Sequence, residues 1–229
     1  MANFHTHISV AAVASGLLSS TLLVADVVSP GEATILWVLG AGGGLLPDID
    51  SDSSRSIRWI FNSLAVLASL ITLLATHSQL PLYGLWLAIA ATYIAVRYGA
   101  MPLFAEWTRH RGIFHSLLAL PFFTLITVYI AEQLFQQPVW LAWTAGTFIC
   151  AGALVHLILD ELYAVDLEGL DLKASFGTAL KPFSLNNLVT SGVMGVSVAA
   201  LVWFAPPIAP FLRVLERVDW ARLFSVPLL

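Results

Sequence analysis

Charge is what this sequence has least of. Its 229 residues carry ten Lys and Arg and fourteen Asp and Glu, so 10% are charged and 59% are hydrophobic. A soluble domain carries about 25% charged residues. Twenty-four charges cannot cover a water-exposed surface for this chain, so the composition excludes a soluble globule and indicates an integral membrane protein. Basic excess is also missing. The net charge of −4 excludes the basic face of a nucleic-acid binder. Cysteine occurs once, as Cys150, which excludes an intramolecular disulfide and a Cys-based zinc knuckle. Neither a G-x-S-x-G elbow nor an H-E-x-x-H helix is present, which argues against a serine hydrolase and a zincin. The N-terminal Met1-Ala-Asn-Phe-His-Thr-His has no Lys or Arg, unlike a signal peptide, so the first apolar segment is expected to stay in the mature protein.

What is present is long apolar runs. Seven segments approach the roughly 20 residues of a spanning helix: about 8–28, 32–47, 57–76, 80–101, 113–133, 138–160 and 186–205. They do not alternate apolar and polar residues, so strands of an outer-membrane barrel are excluded. The expected fold is all-α, a polytopic transmembrane bundle of about seven spans. The second segment is short and glycine-rich (Gly40, Gly42, Gly43, Gly44), suited to close helix packing. With seven crossings, the N-terminus and the three long polar connections, near 48–56, 102–112 and 161–185, share one side. Arg55, Arg58, Arg97, Arg109, Arg111, Lys173 and Lys181 lie there, which predicts a cytoplasmic face. Arg213, Arg217 and Arg222 follow the last span and oppose that count. The prediction divides the chain into a membrane-embedded domain, 1–205, and an amphipathic interfacial tail, 206–229, helical over about 211–224.

Reactive side chains gather on the same predicted face. His5, His7, Asp48, Asp50, Asp52, His110, His115, His156, Asp160, Asp166 and Asp171 all fall there, and of six His only His77 does not. Ionisable groups are costly near a bilayer, so a one-sided gathering points to a site. His5 and His7, read as lying just before the first span, would share a metal only from an extended or turn geometry; otherwise they are solvated or capping residues. Asp48, Asp50 and Asp52 repel unless a cation lies among them. An EF-hand is excluded because the glycine at loop position six and the acid at position twelve are missing, the latter replaced by Trp59. Helix capping accounts for one of these Asp, and metal ligation accounts for more. In Arg109-His110-Arg111-Gly112-Ile113-Phe114-His115, Gly112 turns the chain into a span with His115 in its first turn. The two Arg suit a phosphate or a membrane anchor. His156 and Asp160, at i and i+4, share one helix face and form either a chelate or a buried hydrogen-bonded pair. Lys181 suits a phosphate or an anionic headgroup equally. Carboxylates and imidazoles without a nucleophile elbow favour water activated by a metal. Zinc lowers the pKa of water to about 7.

Pro47-Asp48-Ile49-Asp50-Ser51, His110-Arg111-Gly112-x-x-His115-Ser116, His156-x-x-x-Asp160 and Lys181-Pro182-Phe183-Ser184 resemble the YdjM-type family over about four-fifths of the chain. Members are bacterial inner-membrane proteins described as metal-dependent hydrolases, some with a LexA-linked description. The resemblance implies a metal site of Asp48, His110, His115, His156 and Asp160, with His5 or His7. The order His, Asp, His, then His-x-x-x-Asp is also similar to the zinc-dependent phospholipase C and P1 nuclease group. That similarity favours phosphoesters, although the group's downstream His-x-x-x-Glu is absent here.

The expectation is therefore a membrane hydrolase of a lipid or lipid-linked phosphoester. One or two divalent ions, zinc favoured with manganese or magnesium as options, would be held by His7, Asp48, His115, His156 and Asp160. Asp50 and His110 are the candidate catalytic groups, and Arg109, Arg111 and Lys181 the candidate phosphate binders. The expected partners are membrane lipid and the substrate, with no nucleic acid. The rival is a non-enzymatic scaffold or metal-ion carrier, with a soluble regulator as a candidate partner. A carrier needs ionisable groups at mid-depth, where these spans carry almost none.

Overall fold

A computed structural model describes residues 3–50, 55–108, 113–166, 171–172, 180–184 and 188–218. They are helical apart from loops and a two-residue antiparallel pair, Val165–Asp166 with Asp171–Leu172. The chain forms two compact units, one of Met1–Pro47 with Gly112–Leu229 and one of Asp48–Arg111.

In the first unit α1 spans Phe4–Val24, four residues earlier than expected, because the Asn3 side chain caps it by accepting from Thr6 N–H at 2.9 Å. Its buried residues, His7, Ala11, Ser15 and Ser19, form one stripe at four-residue spacing. A capping box starts α2 (Pro30–Gly43): Ser29 N–H donates to Glu32 at 2.7 Å, Glu32 N–H returns to Ser29 Oγ at 3.3 Å, and Pro30 occupies the first helical position. A 3-10 turn, Leu46–Asp50, follows.

α2 has 14 residues, about 21 Å at 1.5 Å per residue. That is short of a bilayer core of about 30 Å. Its small residues serve packing. A Cβ on Gly43 would lie 2.5 Å from the Ile149 carbonyl oxygen, and one on Gly152 would strike the backbone of Gly40 and Gly44. Both contacts are with α7 (Val139–Leu162), the most enclosed helix of the unit.

α6 (Ala119–Tyr129) continues through a π-helical turn, Ile130–Leu134. It begins later than the predicted 113–133 because the residues before it are bonded elsewhere. Leu117 and Leu118 N–H donate to the Lys181 and Pro182 carbonyls at 2.9 and 3.0 Å. Ile113, Phe114 and Ser116 are buried, the condition under which non-helical backbone is tolerated at membrane depth. α8 (Leu188–Phe204) starts where Ser191 Oγ donates to the Ser184 carbonyl at 2.8 Å. It meets α9 (Ala209–Glu216) at a 75° bend, held on α7 by Trp143 Nε1 donating to the Pro206 carbonyl at 3.2 Å. A helix thus lies at the start of the expected tail helix, and residues 219–229, Arg222 among them, lie outside the described residues.

The second unit is a hairpin of α3 (Arg55–Thr76) and a long helix built from α4 (Leu82–Ile94), a π-helical segment Ala95–Ala100, and α5 (Met101–Thr108). Pro102 has no N–H and its ring crowds the carbonyl four residues back, which accounts for the wide turn just before it. The two arms are joined by a Thr72–Thr92 hydroxyl pair at 3.1 Å and by Ser69 Oγ donating to the Ile89 carbonyl at 3.3 Å.

Four helices are long and apolar enough to cross a membrane: Phe4–Val24, Ser56–Thr76, Leu82–Glu106 and Val139–Leu162. The bent pair Leu188–Phe204 and Ala209–Glu216 makes a fifth if it counts as one span. The expected all-helical fold is therefore present, with four to five candidate spans among the described residues. Segments two and five are the shorter helices Pro30–Gly43 and Ala119–Leu134.

Candidate metal centre

Four side chains of the first unit converge from three places in its sequence. Asp160 is central. His7 Nε2 lies 3.3 Å from its Oδ1, and His156 Nε2 and His115 Nε2 lie 3.4 and 3.7 Å from its Oδ2. The His7 and His156 rings stack at 3.6 Å, and His115 meets His156 edge-on at 5.4 Å. His156 has no exposed surface, His7 has 1% and Asp160 has 3%.

Each residue arrives there for a local reason. The Asn3 cap places His5 and His7 inside α1, not ahead of it. Residues two apart on a helix point to opposite sides, so His7 is buried and His5 exposed. The extended or turn geometry that the pair would need to share one metal is therefore not formed. His115 precedes α6 instead of lying in its first turn, and the bonds from Leu117 and Leu118 to residues 181–182 fix that stretch. His156 and Asp160 lie on the buried face of α7, as their spacing predicts.

The second bond of His156 sets its chemistry. Its Nδ1 lies 2.7 Å from the carbonyl oxygen of Gly44. A carbonyl only accepts, so Nδ1 carries a proton, and in the neutral imidazole the Nε2 lone pair is the one that faces Asp160. A backbone partner on the far nitrogen is the usual support for a ligating imidazole. The Gly44 carbonyl can approach because the glycine end of α2 lies directly on α7.

These residues fit a divalent ion. Ligand atoms about 2.0–2.1 Å from a tetrahedral zinc stand about 3.3 Å apart. The separations of 3.3, 3.4 and 3.7 Å match that edge and exceed the roughly 2.8 Å of a charge-assisted hydrogen bond. Donor atoms of His7, His156 and Asp160 all lie within 4.8 Å of one another. His7 Nδ1 is also buried with no hydrogen-bond partner among the described residues. A carboxylate buried among imidazoles needs a compensating positive charge, which a divalent ion provides.

The other expected site residues are placed differently. Asp48 opens the second unit, where it accepts from the buried Ser56 hydroxyl at 3.3 Å. The backbone of Asp50 closes the 3-10 turn, and its side chain lies outside the described residues. Arg109, His110 and Arg111 lie outside them entirely. Lys181 is half-buried, and its observed contact is made by its carbonyl. The Gly44 carbonyl was not singled out from the sequence. The glycine run before Pro47 is its only sequence signal, and it signals packing, not a hydrogen-bond acceptor.

Comparison with family models matches residues 1–217 to the one described as YdjM inner membrane protein. No curated protein and no solved structure matches the chain.

Proposed function

The chain belongs to the YdjM inner membrane protein family, and from that premise we propose that it is a metal-dependent hydrolase of a lipid or lipid-linked phosphoester, working at the cytoplasmic face of a bacterial inner membrane. The observation that carries this reading is the bond from His156 Nδ1 to the Gly44 carbonyl. It orients a buried imidazole and sets the tautomer of its neutral form so that Nε2 can ligate an ion beside a buried carboxylate, the outer partner that a metal-binding histidine uses.

His7, His115, His156 and Asp160 would hold the ion, and the sequence adds Asp48 to the set. When bound, a zinc-like ion supplies Lewis acidity and lowers the pKa of water. In the reaction, water adds to phosphorus, the ester P–O bond breaks, and the leaving alcohol gains a proton. Asp50 and His110 are assigned to moving those protons. Arg109, Arg111 and Lys181 are assigned to neutralising the phosphate. The choice of a lipid phosphoester rests on the membrane setting and on the motif order shared with helical zinc phosphodiesterases.

The test is the metal content of detergent-purified protein beside Asp160→Ala. One or two tightly held ions are expected in the native chain, with none in a variant that elutes as a folded species. Full metal retention by the variant would overturn the assignment. Phospholipid and lipid-phosphate substrates can then be screened with the loaded protein. The same measurement on Asp48→Ala tests whether that carboxylate is a ligand.

A further inference from the structure

The second unit holds a charge that the metal centre does not use. Arg97 lies on the π-helical segment Ala95–Ala100, inside the span Leu82–Glu106. It is half-buried, and its Nε–H donates to Asn62 Oδ1 at 2.5 Å. Nη1 contacts the Met101 sulfur at 2.9 Å, and Cζ stands 5.2 Å from the Tyr98 ring centre. No ion pair to Arg97 occurs among the described residues.

A guanidinium has five N–H donors in a fixed fork. Asn62 takes one and Met101 another, which leaves three, among them both on Nη2. Water would satisfy these at a soluble surface, but inside a span they require an acceptor. The exposed Arg58 and Trp59 lie one turn from Asn62 toward the open end of the hairpin, as at a membrane interface. The guanidinium therefore lies about 5 Å inside that boundary, at roughly one turn of helix rise.

The opposite direction is apolar. An open groove of about 570 Å³ lies between α3 and α4, lined by Val66, Ser69, Trp86, Ala90, Tyr93 and Ile94. Val66 and Ser69 follow Asn62 at i+4 and i+7, and Tyr93 precedes Arg97 by four residues. The cation and the groove thus share one face of each helix. A cationic fork above an apolar slot has the polarity of a phospholipid.

We propose that the second unit binds one anionic phospholipid, with its phosphate on the free edge of Arg97 and an acyl chain along the groove. Asn62 is the positioning residue that turns this edge outward. The proposal does not depend on the metal centre.

The full-length protein is purified in mild detergent and loaded with phosphatidylglycerol, and retained lipids are counted by native mass spectrometry. Native protein is expected to keep one lipid that Arg97→Gln loses. Arg97→Lys, which keeps the charge without the planar fork, should lose it at least tenfold more readily. Ala90→Trp, which fills the groove and leaves Arg97 intact, should lose it too. Inorganic phosphate in millimolar excess distinguishes the sources. Failure to displace the lipid supports binding of the whole molecule. Displacement, with Ala90→Trp unaffected, would overturn the acyl-chain assignment and leave a site for soluble phosphate esters. Equal retention by native protein, Arg97→Lys and Ala90→Trp would overturn the proposal, even if Arg97→Gln does not fold.

Discussion

Helices α7 and α4–α5 are nearly alike as sequences and opposite as parts. Val139–Leu162 and Leu82–Glu106 have 24 and 25 residues and mean hydropathies of 1.7 and 1.4 over their best windows. Yet 61% of the α7 window is buried in protein and none of the other is. Hydropathy reports that a helix suits lipid; it does not report how much lipid it meets. Both contain Gly and Ala, and what distinguishes the two is what the small residues meet: a Cβ on Gly99 would find nothing within 4 Å. α7 places Gly146 and Gly152 against the backbones of α6 and α2, and that proximity shields His156 and Asp160. α4 has larger side chains directed outward, with Tyr83, Trp86 and Leu87 all more than half exposed.

The largest way to break this contrast is Gly152→Val. Its side chain would meet the α2 backbone, which cannot rotate aside. Overpacking costs about 1–3 kcal/mol, and more where backbone is struck. The expected result is about 3 kcal/mol or more of lost stability, with loss of the Gly44–His156 bond, read by thermal unfolding in detergent and by metal content. An unchanged melting curve would mean that α2 and α7 are not in this contact.

Leu118→Pro is a finer test. It removes the N–H donated to the Pro182 carbonyl, at a helix start where proline is tolerated. The stretch that carries His115 loses one of its two backbone bonds to residues 181–182 while α1 and α7 are untouched. A hydrogen bond contributes about 0.5–1.5 kcal/mol net, so a drop of up to about tenfold in metal affinity is expected, measured by chelator competition. Equal affinity would show that His115 needs no such fastening.

The smallest effect belongs to the lipid-facing helix. Leu87→Ala, at a side chain 68% exposed, should change stability by no more than about 0.5 kcal/mol. A loss comparable to that of Gly152→Val would mean that α4 is covered by protein in the membrane.

The sequence made the chemistry easier to read than the crossings. His156-x-x-x-Asp160 was legible because four residues make one helical turn, and His115 because a membrane anchor accounts for Arg109 and Arg111 but not for the paired His110 and His115. The choice between His5 and His7 was not, since it depends on where Asn3 caps α1. Hydropathy counted segments 32–47 and 113–133 as spans because apolar side chains score alike in helix and loop. Gly44 and Pro47 end the first early. The bonds to residues 181–182 hold the start of the second out of a helix, and that partner lies more than sixty residues away in the sequence. The Gly44 carbonyl was illegible for a related reason: every residue has one, and only packing selects which meets an imidazole.

The two backbone bonds from Leu117 and Leu118 to Lys181 and Pro182 also order events in time. During synthesis His7, His115, His156 and Asp160 have all left the ribosome before residue 182 does. Until then the stretch carrying His115 lacks its fastening. The candidate metal centre therefore closes late, when the connection to α8 arrives, and a nascent chain arrested before residue 181 would carry all four of these side chains without the bonds that hold the stretch around His115 in place.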